Sequence, residues 1–194
     1  MNSETLAALA DEHEDFRPRP VRGPRPVHRV SSCYSHNIWE PERLAVVVAR
    51  TAAALDAAKA EGAPFTALAF TGTSGSAVAF PLAAMHGWPI VHIGKRVDES
   101  HACTKYRGAV EFSHYAIVDD FTDTGATIGR IMSEIQDHWR IHNTTWPVEP
   151  VLTHVFLYNK HRDFMPHYTE WDVYSEQRAA LAAHPPKVWC LGSQ

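Results

Sequence analysis

An α/β fold, with a mostly parallel sheet flanked by helices and a small cap from the terminal segments, is predicted by three observations. Short apolar runs alternate with helical segments between Phe65 and Tyr158. Two of the apolar runs end in turns of small residues that lead straight into helices, and a third ends in two basic residues. In such sheets ligands sit beyond the carboxyl ends of the strands, so these three endings are where chemistry is expected.

The elements follow in chain order. Residues 1–30 combine charge with Pro18, Pro20, Pro24 and Pro26, which predicts an arm or irregular cap. Pro41 suits a first helical turn, and Glu42 to Lys59 is rich in Ala, Leu and Arg before Gly62 and Pro64 end the pattern. Phe65 to Thr71 reads as a buried strand, Ser76 to His86 as a helix, Pro89 to Ile93 as a strand and Tyr115 to Asp119 as another. Thr127 to Arg140 reads as a helix and Val151 to Tyr158 as a fourth strand. The polar stretch from Val97 to Ser113 has no clear period and reads as a long loop. The tail is expected to pack as a cap with one short helix, Ser175 to Ala183. The organisation is thus an arm (1–40), an α/β core (41–160) and a C-terminal cap (161–194).

Composition fits one domain. The chain has 194 residues, 45% apolar and 21% charged, which excludes disorder, collagen and coiled coil. A net charge of −4 argues against a nucleic-acid binder, because such domains carry a basic footprint. The thirteen histidines are spread without a tract. Cys33, Cys103 and Cys190 are odd in number and far apart, which disfavours a disulfide framework or a cysteine zinc site and makes a reducing cytoplasm the simplest home. The longest aliphatic run, Leu44 to Ala49, has six residues, so neither a signal core nor a membrane span is expected.

The most informative stretch is Tyr115-Ala-Ile-Val-Asp-Asp-Phe-Thr-Asp-Thr-Gly-Ala-Thr127. A buried strand delivers Asp119 and Asp120 to its end, and Asp123, Thr124, Gly125, Ala126 and Thr127 lead into a helix. Backbone N–H groups at a helix start, with the helix dipole and two threonine hydroxyls, make a cradle for a phosphate monoester. Carboxylates beside a phosphate repel it unless they bind sugar hydroxyls, Mg²⁺ or a developing cation, so the combination suits a ribose phosphate. The plain alternative is a helix cap at Asp123 or Thr124 beside two surface acids. Asp123-Thr124-Gly125-Ala126 also spells the aspartic-protease tetrapeptide, but that peptide belongs in an all-β protein with a paired aspartate.

A second element is the turn after Phe70, where Gly72 and Gly75 permit tight backbone geometry and Thr73, Ser74 and Ser76 offer donors to an anion. Close packing alone also explains such glycines. Neither the Walker loop nor the dinucleotide fingerprint is present. The third ending carries Lys95 and Arg96, which can neutralise a bound anion or can be an ordinary solvated strand end. The loop beyond it carries Ser100, His101, Lys105, Tyr106 and Arg107.

The acid pair and turn resemble the phosphoribosyl-pyrophosphate-binding motif of type I phosphoribosyltransferases: an aliphatic strand, two acids, three variable residues, then Thr-Gly-x-Thr. Asp119, Asp120, Thr124, Gly125 and Thr127 fill its fixed places. The resemblance covers Phe65 to Tyr158 and implies transfer of a 5-phosphoribosyl group from phosphoribosyl pyrophosphate to a nitrogenous base, with Mg²⁺ as cofactor. It implies that Asp119 and Asp120 hold ribose hydroxyls or the metal, and that Asp123 to Thr127 hold the 5′-phosphate region. Thr73, Ser74, Gly75, Ser76, Lys95 and Arg96 would hold pyrophosphate, and Ser100, His101, Lys105 and Arg107 would lie on the family's mobile loop. Asp123 matches a proposed base of the 6-oxopurine branch, although the Thr73–Ser76 turn lacks the charged residue of several purine branches. Lys160 and Trp189 resemble loosely a base-binding lysine and stacking aromatic, and a homodimer is compatible with this reading. A non-catalytic nucleotide-binding regulator on the same fold is the other class consistent with these residues.

Overall fold

The computed structural model describes residues 36–94, 104–122, 124–159 and 167–191. Helix α1 (His36–Trp39) is a single turn, and α2 (Pro41–Ala60) begins on a proline whose missing N–H is one of the donors a helix start leaves unbonded anyway. Its buried residues Val47, Thr51, Ala54, Leu55 and Ala58 recur at helical spacing. Lys59 closes its exit by donating from Nζ to the carbonyls of Ala63 (2.8 Å) and Phe65 (3.0 Å). Then come β1 (Ala67–Thr71), α3 (Gly72–His86), β2 (Ile90–Ile93), β3 (Tyr106–Gly108), β4 (His114–Asp119), α4 (Ala126–His142) and β5 (Val151–Leu157). A 3₁₀ turn (Tyr168–Glu170), α5 (Ser175–Ala183) and β6 (Lys187–Cys190) complete the described chain.

The six strands form one sheet in the order β3-β2-β1-β4-β5-β6. Every neighbouring pair is parallel except β2 and β3. Because side chains alternate across a sheet, β1 and β4 feed two cores. Ala67, Ala69, Tyr115 and Ile117 pack with Ile128, Ile131 and Ile135 of α4 and Leu181 of α5. Leu68, Ala116 and Val118 pack on the other face with Leu55 of α2 and Val78 and Leu82 of α3. This is the helix-covered, mostly parallel sheet expected from the alternation of elements. All five parallel strands end at one edge, which brings Thr71, Ile93, Asp119 and Leu157 together there.

Three expectations are corrected. First, no loop of small residues separates β1 from its helix, because Gly72, at φ 63°, makes the whole turn and α3 starts at once. Thr73 to Ser76 therefore form the first turn of a helix. Second, the stretch read as a long loop contains β3, with Tyr106 buried, Arg107 within the strand and Lys105 beside it. A three-residue edge strand is too short to display a period. Third, the tail adds β6 to the sheet as a parallel edge strand instead of only capping it. The arm 1–35 lies outside the described residues, as do Lys95, Arg96, Ser100, His101, Asp123 and Lys160.

Candidate active site

The parallel strand ends bring two helix N-termini into one place. On the β1 side, α3 starts directly at the strand end, with Thr73 exposed and Ser74 half-buried. Gly75 is buried, and a Cβ there would lie 2.9 Å from Cβ of Phe70 and 3.2 Å from the carbonyl oxygen of Val118. That glycine lets α3 sit close against β1 and β4. Ser76 donates its hydroxyl to the carbonyl of Thr73 at 3.0 Å, within the same turn.

On the β4 side, Asp119 is buried at the strand end and Asp120 is half-buried just beyond it. Asp119 Oδ1 accepts the backbone N–H of Asp120 at 2.9 Å, and Ser74 Oγ donates to it at 3.4 Å. Asp120 Oδ1 accepts the N–H of Phe121 at 2.9 Å. Gly125 then reverses the chain at φ 78°, and α4 begins. Thr124 Oγ1 accepts the N–H of Ala126 at 3.3 Å. Thr124 and Ala126 are exposed and Thr127 is half-buried, so the turn is accessible. Helix α4 spans 17 residues, so its dipole places partial positive charge at this turn.

The end of β5 ties the two sides together. The N–H of Tyr158 donates to Asp119 O (3.2 Å) and that of Asn159 to Asp120 O (2.6 Å). The buried Tyr158 hydroxyl donates to the carbonyl of Ser74 at 2.9 Å. Burial, followed by the charges of Asp120 and Asp119, pushes the Tyr158 phenol well above its ordinary pKa, so it stays protonated as a donor. Its sequence position beside Lys160 marked this strand end, but its link to Ser74 is visible only in the fold.

The remaining candidates are distributed as follows. Lys105 lies at this edge, its carbonyl accepting the N–H of Gly94 at 2.9 Å, and its ammonium pairs with Glu134 of α4 at 2.6 Å. Arg107 is two residues further on, within β3 and opposite His92. Trp189 lies on β6, stacked on Phe156 with centroids 6.0 Å apart and beneath the ammonium of Lys187. The residue sequence reasoning missed is Trp171: it is fully buried and packs directly on Gly125. The only sequence signal for that contact was the pair of glycines, Gly125 and Gly129, one helical turn apart.

Among the described residues no group of three or more His, Cys, Asp or Glu could hold a metal ion by itself. Asp119 and Asp120 suit the other mode, in which Mg²⁺ takes one or two carboxylates and completes its shell with substrate oxygens and water. A cavity of about 470 Å³ lined by Tyr115, Met132, Gln136, Leu152, Leu181 and His184 opens at the opposite ends of β4 and β5, away from these acids. No helix among the described residues is long and apolar enough to cross a membrane.

The architecture is that of the type I phosphoribosyltransferases, and the acid pair and turn lie at the carboxyl end of β4, the edge where open α/β sheets in general bind ligands. The orotate phosphoribosyltransferase from Aeropyrum pernix is similar to this chain with a TM-score of 0.53 and 11% sequence identity, over 80% of this chain and 74% of that one. An adenine phosphoribosyltransferase from Saccharomyces cerevisiae is 13% identical over 80% of this chain and 82% of its own, with a TM-score of 0.48. No protein-family profile and no curated protein sequence matches the chain. At this identity the likeness is one of fold, and one such fold hosts many functions set by its site residues.

Proposed function

We propose that this protein transfers the 5-phosphoribosyl group from phosphoribosyl pyrophosphate to a nitrogenous base, releasing pyrophosphate. The observation that carries the proposal is the continuous run from the buried strand β4 through Asp119 and Asp120 into the accessible turn Thr124–Thr127 at the N-terminus of α4. A phosphate monoester on that turn receives backbone N–H groups, two threonine hydroxyls and the helix dipole. The ribose attached to it then lies towards the acid pair. As the bond to pyrophosphate lengthens, positive charge develops on the sugar, as in glycoside cleavage, and fixed carboxylates stabilise it. Asp119 is held for that task by the N–H of Asp120 and the hydroxyl of Ser74.

Pyrophosphate is assigned to the first turn of α3, where Thr73, Ser74 and Ser76 lie, together with Lys95 and Arg96. Mg²⁺, bound through Asp119 or Asp120 and substrate oxygens, would neutralise charge on the pyrophosphate. Asp123 is assigned the role of base towards the incoming acceptor on its sequence position alone, and a 6-oxopurine is the acceptor that this aspartate suits best. The odd, widely spaced cysteines support a reducing, cytoplasmic setting for the reaction.

The test is incubation with Mg²⁺, phosphoribosyl pyrophosphate and a panel of purine and pyrimidine bases, with pyrophosphate release as the readout. Release dependent on one base supports the transferase. Tight binding of phosphoribosyl pyrophosphate with no release for any base would instead identify a nucleotide-binding regulator.

A further inference from the structure

The tail of the chain runs across the outside of the anion-binding turn. Trp171 is fully buried there, and a methyl group built on Gly125 would fall inside its side chain. One helical turn further, a Cβ on Gly129 would lie 2.9 Å from Cγ1 of Val173. The absence of a side chain at these two glycines thus lets Trp171 and Val173 lie directly against the start of α4. Between them, the N–H of Asp172 donates to the carbonyl of Thr124 at 2.5 Å.

That hydrogen bond has a directional consequence. The peptide joining Thr124 to Gly125 is planar and trans, so turning its carbonyl towards Asp172 turns the Gly125 N–H the opposite way, out of the tail contact. A carbonyl that would repel an anion is sequestered, and a donor is left pointing away from the tail. The tail segment is itself held from behind. Arg178 donates from Nη2 to the carbonyl of Trp171 at 2.6 Å and from Nη1 to that of Thr169 at 2.9 Å. Gln177 Nε2 donates to Ser133 Oγ at 2.9 Å, which fastens α5 to α4.

We infer that the segment Thr169–Val173, clamped by Arg178, is a positioning strap that holds the turn Thr124–Thr127 in its anion-binding shape and so sets the affinity of this site for a phosphate monoester. The inference rests on the phosphoribosyl reading of the site. Arg178 acts through the strap and touches no substrate. Its removal frees the strap, and the turn then has to be ordered at the moment of binding, which weakens affinity without removing any group from the site.

The experiment compares the wild-type protein with Arg178→Ala and Arg178→Lys by calorimetric titration of two probes, ribose 5-phosphate and inorganic pyrophosphate, alongside melting temperatures. Arg178 is exposed and its side chain belongs to neither core, so its truncation removes no buried apolar group. Ribose 5-phosphate binding should weaken about tenfold in Arg178→Ala and by less in Arg178→Lys, with pyrophosphate binding changed less than about twofold. A general loss of structure would instead weaken both probes together and lower the melting temperature, and that result overturns the strap. Unchanged ribose 5-phosphate binding in Arg178→Ala overturns it as well. If the wild-type protein binds neither probe, the phosphoribosyl reading falls and the strap with it.

Discussion

At the scale of single residues, Asp119 and Asp120 at the end of β4 differ in their surroundings. Asp119 is buried and already accepts two hydrogen bonds, whereas Asp120 is only half-buried and accepts the N–H of Phe121. Asp120→Asn should therefore weaken engagement of phosphoribosyl pyrophosphate or Mg²⁺, while Asp123→Asn should keep phosphoribosyl pyrophosphate binding and lose turnover by about 10²-fold. Binding titrations and initial rates on the same preparations separate the two, and a wild-type rate in Asp123→Asn would remove it from catalysis. His154 offers a test of stability instead. It is nearly buried between Phe65 and Phe156, and burial, followed by the charge of Lys187, lowers its pKa from the ordinary value; Lys59 acts the same way and Glu61 in opposition. The unfolded chain thus takes this proton first as pH falls. The contribution to stability is complete above about pH 6.5, the ordinary histidine value, and declines as pH drops below it. The melting temperature of His154→Phe should depend less on pH between about 7.5 and 5 than that of the wild type, and parallel profiles would contradict this.

At the scale of elements, the site depends on how closely α3 and α4 approach the sheet. Glycine inside a helix is less favourable than alanine by about 0.5–1 kcal/mol, so Gly75→Ala would stabilise an isolated α3. In the fold the added Cβ meets Cβ of Phe70 and the backbone oxygen of Val118, neither of which is a flexible side-chain end. Overpacking of that kind costs about 1–3 kcal/mol, and it wins. Gly75→Ala should lower the melting temperature and shift the first turn of α3 away from Asp119. Denaturant titration measures the first effect, and an unchanged midpoint would show that α3 can move freely. The elements themselves were legible where a period had room to develop: α2, α4, α5 and the strands β1, β4 and β5 all lie within a few residues of their expected bounds. Strand β3 has three residues and β6 four, at opposite edges of the sheet, and such short edge strands carry no alternation to read. The first turn of α3 has the local pattern of a turn between elements because Thr, Ser and Gly favour turns, and packing of that helix on β1 and β4 overrides the preference.

At the scale of the whole molecule, the mostly parallel sheet sends the ends of β1, β2, β4 and β5 to a single edge, so the ligand proposed for that edge would couple β1, β4, β5 and the tail. A ligand that binds only the folded protein stabilises it by about 2.7 kcal/mol at 100 times its dissociation constant. For a chain of this size that raises the melting temperature by about 5–10 °C. Phosphoribosyl pyrophosphate with Mg²⁺ should produce such a rise in a thermal-shift measurement, and a comparable rise with unrelated sugars would show that the site does not discriminate. What the sequence determined by itself was the alternation of strand and helix and the thirteen-residue motif at β4, because both are encoded by neighbours along the chain. What only the tertiary structure decided was the company that motif keeps: Ser74 and Tyr158 beside Asp119, and Trp171, Asp172 and Arg178 behind Thr124 and Gly125. Those contacts join residues far apart in the chain, and no local pattern specifies them; they arise when two cores close on opposite faces of one sheet.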